Sequence, residues 1–217
     1  MFRAVLFDWD GVVVDSSAHH ERSWEILAAR HGLSLPANHF KRGFGKKNNA
    51  IIPDLGWSTD PAEIDALSHE KEETYRALVR EQGMDPLPGV RELLAALREK
   101  GIPCAIASST ERANLDLPLD MMKLRDFFAA IVSGEEVVHG KPDPAIFLLA
   151  ASRLGIIPAE CVVIEDALVG IEAAQLAGIP VLAVATTHPI TALGSADAAV
   201  PSMTDVTPDR LAALAGT

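Results

Sequence analysis

Cysteine is scarce in this 217-residue chain, which has only Cys104 and Cys161. Each lies in a short apolar run that is typical of a buried strand, so we expect two small core residues rather than a disulfide. Long apolar runs are lacking too, and no basic segment followed by an apolar stretch precedes the first predicted strand. These absences favour a cytoplasmic globular protein that has no membrane-spanning helix.

Positive charge is also in short supply, with 19 Lys and Arg against 30 Asp and Glu and a formal net charge of −11. Such a surface repels nucleic-acid phosphates and anionic membranes, so we expect neither as a partner. A small anionic ligand is compatible with this charge only where a few basic residues gather in one cleft. Hydrophobic residues at 48% and charged residues at 23% give an ordinary globular balance, and we expect a monomer.

Five short, continuous apolar runs predict strands that are covered on both faces, as in a parallel sheet. They lie at residues 4–7, 103–107, 129–132, 161–164 and 180–184. Helical patterns lie between or after them, at residues 90–100, 144–154 and 168–177, and a glycine follows each one. The alternation of strand and helix predicts an α/β fold with a doubly wound, Rossmann-like parallel sheet.

One long segment breaks this alternation. Residues 16–87 show helical patterns and no convincing strand, with helices expected to begin near Ser17 and at Asp60-Pro61. An insertion of this size after the first strand predicts a separate α-helical cap domain. We therefore expect an α/β core made of residues 1–15 and 88–217, and a cap made of residues 16–87.

Two carboxylates follow the first predicted strand directly, in the run Asp8-Trp9-Asp10-Gly11. Ligands of open parallel sheets bind beyond the carboxyl ends of the strands, so both acids would point into that crevice. An extended backbone would place Asp8 and Asp10 on opposite faces, but Gly11 allows a turn that could bring them together. Taken alone, the motif is equally compatible with two solvated acids in an Asp-Gly turn.

Three further predicted strands are followed by polar residues of complementary chemistry. These residues are Ser108 and Ser109, Lys141 in the loop after the third strand, and Glu165 with Asp166. Clustered carboxylates suit a hard cation such as Mg²⁺, and a lysine with a hydroxyl can hold phosphoryl oxygens. Each residue alone could be a loop cation or a helix cap. Their occurrence at four strand ends of one sheet favours a phosphoryl-transfer site.

These motifs resemble those of the haloacid dehalogenase superfamily. The similarity lies in the run from Asp8 to Ser16, in Ser108, in Gly140-Lys141-Pro142-Asp143-Pro144 and in Glu165-Asp166, and it covers essentially the whole chain. The branch with a helical cap inserted after the first strand is the most similar. It contains β-phosphoglucomutase and many sugar-phosphate phosphatases.

The resemblance implies a role for each motif residue. Asp8 would be the nucleophile that forms an aspartyl-phosphate, and Asp10 would be the general acid and base; an aspartate at position 10 indicates phosphoryl transfer rather than dehalogenation. Mg²⁺ would be held by the Asp8 side chain, the Asp10 carbonyl and Asp166, with Glu165 in or near its shell. The phosphoryl group would be bound by Ser108, Ser109 and Lys141.

Helical periodicity in the cap indicates further candidates. His20, Trp24, Leu27 and His31 share one face of the first cap helix, and Lys71 interrupts an apolar stripe of Ile64, Leu67, Tyr75 and Leu78. Lys71 could be a lysine that snorkels from a packed face, and His20 a packed histidine. The resemblance instead implies a cap histidine and lysine that help to move the proton of Asp10. If Lys71 acts on the substrate or on Asp10, its replacement by methionine is expected to keep or raise the stability of the protein, because a hydrophobe replaces a partly buried cation, and to reduce activity.

The segment from Gly43 to Asn49 is basic within an acidic protein and resembles the loop that meets the non-transferring end of the substrate. Its candidate contacts are Lys46, Lys47 and Asn49. The family commonly has an arginine where this chain has Lys46, and lysine cannot make the two-pronged contact that arginine makes with a phosphate. The segment could also be a solvated loop.

The leading hypothesis is a phosphatase that acts on a small phosphorylated metabolite, with a sugar phosphate as the favoured substrate class. The alternative is a β-phosphoglucomutase, in which glucose phosphate replaces water as the acceptor. The Lys46 departure counts against the mutase, because a mutase must hold a bisphosphate at both ends. A third alternative is a non-catalytic member that binds phosphorylated ligands, and the complete motif set counts against it.

Overall fold

The computed structural model describes residues 2–37, 39 and 47–214. The chain divides into two compact units, one made of Met1–Asp15 with Asp85–Thr217 and the other made of Ser16–Met84. Residues 85–87, which the sequence analysis placed in the cap, group with the α/β unit. The reason is local pairing: Pro86 forms a bridge with Val14, and the Leu87 N–H donates to the Val13 carbonyl at 2.9 Å.

The α/β unit contains a six-stranded parallel sheet in the order β3-β2-β1-β4-β5-β6. The strands are β1 (Ala4–Phe7), β2 (Cys104–Ala107), β3 (Phe128–Val132), β4 (Cys161–Glu165), β5 (Val181–Val184) and β6 (Ala198–Val200). The α/β prediction and the five predicted strands are confirmed. Strand β6 was not predicted, because a run of three small or branched residues is too short to show a pattern.

Helices cover this sheet on both faces. They are α4 (Val90–Glu99), α5 (Arg112–Met121), α6 (Ala145–Leu154), α7 (Leu168–Leu176) and α8 (Pro208–Leu214). Short 3-10 segments lie at Arg125–Phe127, Gly134–Glu136, Pro158–Glu160, Ile190–Ala192 and Met203–Asp205. Helix α5 was not predicted from the sequence, because its internal Pro118 is a helix-breaking signal.

The core of the α/β unit explains why its strands read as continuous apolar runs. Alternate strand residues such as Leu6 and Val163 belong to a buried cluster with Phe147 of α6 and Ile171 of α7. Every residue of β1 is fully buried, including Val5, which points the other way. Burial on both faces removes the polar alternation of a half-exposed strand. The parallel pairing of the strands places their carboxyl ends along one edge of the sheet.

The helical unit contains α1 (Ser17–His31), α2 (Asn48–Asp54) and α3 (Pro61–Gln82). The predicted start of α3 is confirmed, because Asp60 Oδ1 accepts hydrogen bonds from the N–H groups of Ala62 at 2.9 Å and Glu63 at 3.0 Å. His31, predicted to share the packed face of α1, is exposed and lies 2.7 Å from Glu70.

Within the described ranges, no helix combines the length and apolar character of a membrane span.

The small core of the helical unit is formed by large side chains from all three helices. Its members are Trp24, Leu27, Ile52, Ile64 and Leu67. The rings of Trp24 and Trp57 meet edge to face, with centroids 5.6 Å apart. Aromatic and aliphatic packing of this kind holds the three helices together.

Candidate active site

The turn after β1 places Asp8 and Asp10 at the edge of the sheet. The Trp9 carbonyl accepts a hydrogen bond from the Val13 N–H at 2.9 Å, and the Gly11 N–H donates to the Val14 carbonyl at 2.7 Å. Gly11 has φ +80, and a Cβ there would overlap the carboxylate of Asp166. Glycine is therefore required both for the left-handed backbone and for the close approach of a carboxylate.

Asp8 lies in a buried cluster of charges with Lys141 and Glu165. The Lys141 ammonium donates to Asp8 Oδ1 at 2.7 Å and to Glu165 Oε1 at 2.6 Å. All three side chains are nearly excluded from solvent, with exposed fractions of 11% for Asp8, 5% for Lys141 and 1% for Glu165. Lys141 therefore joins the carboxyl ends of β1 and β4, although it lies 133 residues from Asp8 in the chain.

Burial sets the acid–base character of this cluster. It raises the pKa of Asp8 to about 7, an effect that the charge of Lys141 opposes and the charge of Glu165 reinforces. It also raises the pKa of Asp166 to about 9, with the charges of Glu165 and Asp8 adding to the effect. The pKa of Lys141 is raised above its usual range, because the two carboxylates outweigh its burial.

The cluster has the chemistry of a site for a divalent cation. Ligand atoms of Asp8, Glu165 and Asp166 lie within 4.8 Å of one another. Three carboxyl groups face the single ammonium of Lys141, and a bound cation would favour their ionised forms. Among the described residues, Asp166 Oδ1 is buried and has no hydrogen-bond partner, and such an atom is costly unless a ligand binds it. The residues therefore fit Mg²⁺.

Glu165 also organises the start of α7. Its Oε2 accepts hydrogen bonds from the N–H groups of Asp166 at 2.6 Å and Ala167 at 2.7 Å. Gly170 in the first turn leaves room for this carboxylate, because a Cβ there would overlap it. These two N–H groups precede α7, whose N-cap is Ala167 and which has no side-chain cap hydrogen bond. The contacts of Glu165 therefore support the charge-cluster interpretation and not a helix cap.

The hydroxyl run after β2 lies beside Asp10. Ser108 is buried, and its Oγ accepts a hydrogen bond from the Thr110 N–H at 3.1 Å. Ser109 is half-buried, and its carbonyl packs so closely against Gly134 that no Cβ would fit there. The Thr110 hydroxyl donates to Asp10 Oδ2 at 2.6 Å. The sequence interpretation missed Thr110, although it is the third hydroxyl of the same run.

Thr187 is a second residue that the sequence interpretation missed. It follows β5, and its hydroxyl donates to Asp166 Oδ2. The signal was available in the sequence: Thr186-Thr187 is a polar pair at the end of a predicted strand, as are the motifs after β1, β2 and β4.

A separate polar cluster lies inside the helical unit. The Lys71 ammonium is 2.9 Å from Glu72 Oε1 and 2.7 Å from His20 Nδ1, and Asn48 donates to the same Glu72 oxygen at 2.7 Å. The His20 ring stacks on Tyr75 with centroids 4.0 Å apart. Sequence periodicity found Lys71 and His20, but it gave no reason to select Glu72 or Asn48.

The remaining cap candidates are less concentrated. Trp24 is buried in the core of the helical unit, and the Lys71 ammonium lies 5.5 Å from its ring centroid. Lys47 is half-buried just before α2, and Asn49 is exposed on the first turn of that helix. The Lys46 prediction falls outside the described residues.

A family model described as haloacid dehalogenase-like hydrolase matches residues 2–178. The chain is 35% identical over 216 residues to the chloroplastic 5-amino-6-(5-phospho-D-ribitylamino)uracil phosphatase of Arabidopsis thaliana, a match that covers 98% of this chain and 57% of that protein. It therefore spans little more than half the length of that relative. It is 34% identical over 218 residues to the β-phosphoglucomutase of Bacillus subtilis, and this match covers 96% and 93% of the two chains.

A solved structure supports the same assignment. The HAD hydrolase of family IA, variant 3, from Entamoeba histolytica matches with a TM-score of 0.91 at 26% identity, covering 100% of both chains. The matched fold, the matched family model and the clustered motif residues agree. The chain belongs to the haloacid dehalogenase-like hydrolases and is an enzyme of the phosphatase and phosphoglucomutase type.

Proposed function

We propose that this enzyme is a Mg²⁺-dependent phosphatase that hydrolyses a small sugar phosphate through a phosphorylated Asp8. The observation that carries the proposal is the position of the Asp8 carboxylate. It follows a buried parallel strand, accepts a hydrogen bond from Lys141 and shares a cation-binding cluster with Asp166. A buried carboxylate held in this way is suited to attack an electrophilic phosphorus, because the same cluster can balance the charge of the phosphoryl group.

The reaction divides into two displacements at phosphorus. In the first, an Asp8 oxygen forms a bond to phosphorus, the bond to the leaving oxygen breaks, and Asp10 gives that oxygen a proton. In the second, Asp10 takes a proton from water, the water oxygen bonds to phosphorus, and the Asp8–phosphorus bond breaks to release phosphate. The Thr110 hydroxyl supports this role by holding Asp10 Oδ2 at 2.6 Å.

The other core residues bind and neutralise the transferred group. Lys141 and the hydroxyls of Ser108 and Ser109 would donate to the phosphoryl oxygens. Asp8, the Asp10 carbonyl and Asp166 would hold Mg²⁺, with Glu165 in or near its shell. When bound, the cation supplies positive charge that offsets the negative charge of the phosphoryl oxygens.

We assign substrate recognition to the cap. The candidates from the sequence are His20, Trp24, Lys46, Lys47, Asn49 and Lys71. The support for two of them is the polar cluster of the helical unit, where His20 and Lys71 are hydrogen-bonded to each other and Lys71 is also bonded to Glu72. Buried titratable groups of this kind occur often at functional sites.

The mutase is the second candidate, favoured by the 34% identity to β-phosphoglucomutase across nearly the whole chain. Hydrolysis is preferred because Lys46 stands where the family commonly has an arginine, and lysine grips a second phosphate less firmly. The Arabidopsis thaliana relative is named as a phosphatase of a compound that carries a phosphorylated ribityl group. This name supports a phosphorylated polyol or sugar as the substrate class.

The Asp8 intermediate can be trapped chemically. An acyl phosphate is reduced by borohydride, so quenching the enzyme during turnover should convert Asp8 to homoserine, which peptide mass spectrometry locates. The matched control is Asp8→Asn, which should keep the fold, lose essentially all turnover and show no conversion. Conversion at another residue, or turnover by Asp8→Asn near that of the wild type, would remove Asp8 from this role.

A second assay decides whether water or a sugar phosphate accepts the phosphoryl group from Asp8. Phosphate release should exceed glucose 6-phosphate formation when β-glucose 1-phosphate is supplied with catalytic glucose 1,6-bisphosphate. The opposite order would assign the mutase. A panel of sugar and polyol monophosphates, scored by phosphate release, then identifies the preferred substrate.

A further inference from the structure

Thr187 lies in the loop after β5, outside the residues that the proposed mechanism uses. The start of this loop is held by the backbone: the Ala185 N–H donates to the Val200 carbonyl of β6, and the Thr186 N–H donates to the Val184 carbonyl, both at 2.9 Å. From this anchored segment, the Thr187 hydroxyl donates to Asp166 Oδ2. Asp166 must be ionised to bind a metal, and an ionised carboxylate only accepts, so in that form the hydroxyl proton points at Asp166.

The carboxylate of Asp166 is confined on a second side by Gly11. Asp166 has no solvent exposure, and a Cβ at position 11 would overlap Oδ2. One oxygen therefore lies between the Gly11 backbone and the Thr187 hydroxyl. The other, Oδ1, is buried and has no hydrogen-bond partner in the part of the chain that the structure describes.

We propose that Thr187 is a positioning residue that decides which oxygen of Asp166 faces the divalent cation. By taking Oδ2, its hydroxyl leaves Oδ1 as the only oxygen available to a metal. The terminal torsion of an aspartate is broad and roughly two-fold, so without this bond the carboxylate could rotate. Hydrogen bonds to metal-binding carboxylates set their orientation, and their loss typically weakens metal affinity by about 10–100-fold. This inference rests on the proposed metal-dependent function.

The alternative role for Thr187 is purely structural: it would only satisfy a buried carboxylate. The two roles differ in what Thr187→Val changes. A structural bond lowers the stability of the metal-free protein and leaves the affinity for Mg²⁺ unchanged. A positioning bond lowers the affinity of the folded protein for Mg²⁺.

The test is calorimetric titration of the full chain with Mg²⁺ in the absence of substrate. Thr187→Val should raise the Kd for Mg²⁺ by about 10–100-fold. Thr187→Ser, which restores the hydroxyl, should return it to within about threefold of the wild type. The matched control is Thr186→Val, since Thr186 is exposed and its side chain is not in the cluster; it should bind Mg²⁺ as the wild type does.

Each result has one meaning. A wild-type Kd in folded Thr187→Val overturns the positioning role, and so does a failure of Thr187→Ser to recover. If the wild-type chain itself binds no Mg²⁺, the metal-dependent function fails, which is a different result. Should circular dichroism show that Thr187→Val is unfolded, Thr187→Cys replaces it: the thiol is a weaker donor, so unchanged affinity in that variant also overturns the proposal.

Discussion

Replacing Lys71 with methionine tests the buried charge pair of the helical unit. A lone lysine in an apolar stripe predicts unchanged or higher stability when methionine replaces it. The structure predicts the opposite, because Lys71 is paired with Glu72 at 2.9 Å and the two side chains are only 3% and 7% exposed. The substitution leaves a buried carboxylate without its cation, which typically costs about 3–5 kcal/mol.

The acidity of Glu72 gives a second measure of the same interaction. Burial alone would raise its pKa, but the charges of Lys71 and His20, with hydrogen bonds from Lys71 and Asn48, outweigh burial and lower the pKa from 4.5 to about 2. At about 1.4 kcal/mol for each pKa unit, the difference corresponds to about 3 kcal/mol. Because the folded pKa is lowered, this stability is present above about pH 4.5 and is lost as the pH falls towards 2.

The variant should show the reverse pH dependence. Without Lys71, burial raises the pKa of Glu72 above its ordinary value. A group with a raised folded pKa loses its contribution as the pH rises, so Lys71→Met should be less stable relative to the wild type at pH 7 than at pH 5. The effect at pH 7 should lower the melting temperature by roughly 6–20 °C for a chain of this size.

Urea unfolding followed by tryptophan fluorescence is the assay, since Trp24 and Trp57 lie in the same unit. A double-mutant cycle of Lys71→Met and Glu72→Gln should give a coupling energy of about 1–3 kcal/mol. Lys100→Met, at an exposed lysine, is the control and should stay within about 0.5 kcal/mol of the wild type. A Lys71→Met protein as stable as that control, or a coupling near zero, would refute the buried pair.

Four further results are expected from the core and cap. Asp10→Asn should lower turnover by about 10²–10⁴-fold without a change in melting temperature; wild-type turnover would exclude it as acid and base. EDTA should abolish activity and Mg²⁺ should restore it with a rise in melting temperature, whereas activity that survives exhaustive chelation contradicts the metal site. Gly11→Ala should be destabilised by well over 1 kcal/mol, because the new methyl overlaps Asp166; a stable, active variant would contradict this turn geometry. Lys47→Ala should raise KM for the natural substrate and leave p-nitrophenyl phosphate turnover unchanged, and equal losses on both would argue against recognition by Lys47.

Local sequence patterns predicted the elements that carry the site. Strands β1 and β2 and the first four residues of β4 are apolar and are followed at once by Asp8, Ser108 and Glu165, so a run of a few residues showed both the strand and its polar end. The start of α3 was equally local, since Asp60 caps it through its immediate neighbours. Where local signals contradicted one another, the element was not predicted; α5, which contains Pro118, is the example.

The partners of the polar side chains were decided only by the tertiary structure. Lys141 was found as a loop lysine, but its bonds to Asp8 and Glu165 join residues 133 and 24 positions away. Thr187 meets Asp166 only because β5 pairs with β4 in the sheet. Helical periodicity placed Lys71 on an apolar stripe and could not show that its ammonium turns to the adjacent Glu72. Periodicity reports the direction in which a residue leaves the backbone, whereas the partner of a long polar side chain depends on which elements the fold packs beside it.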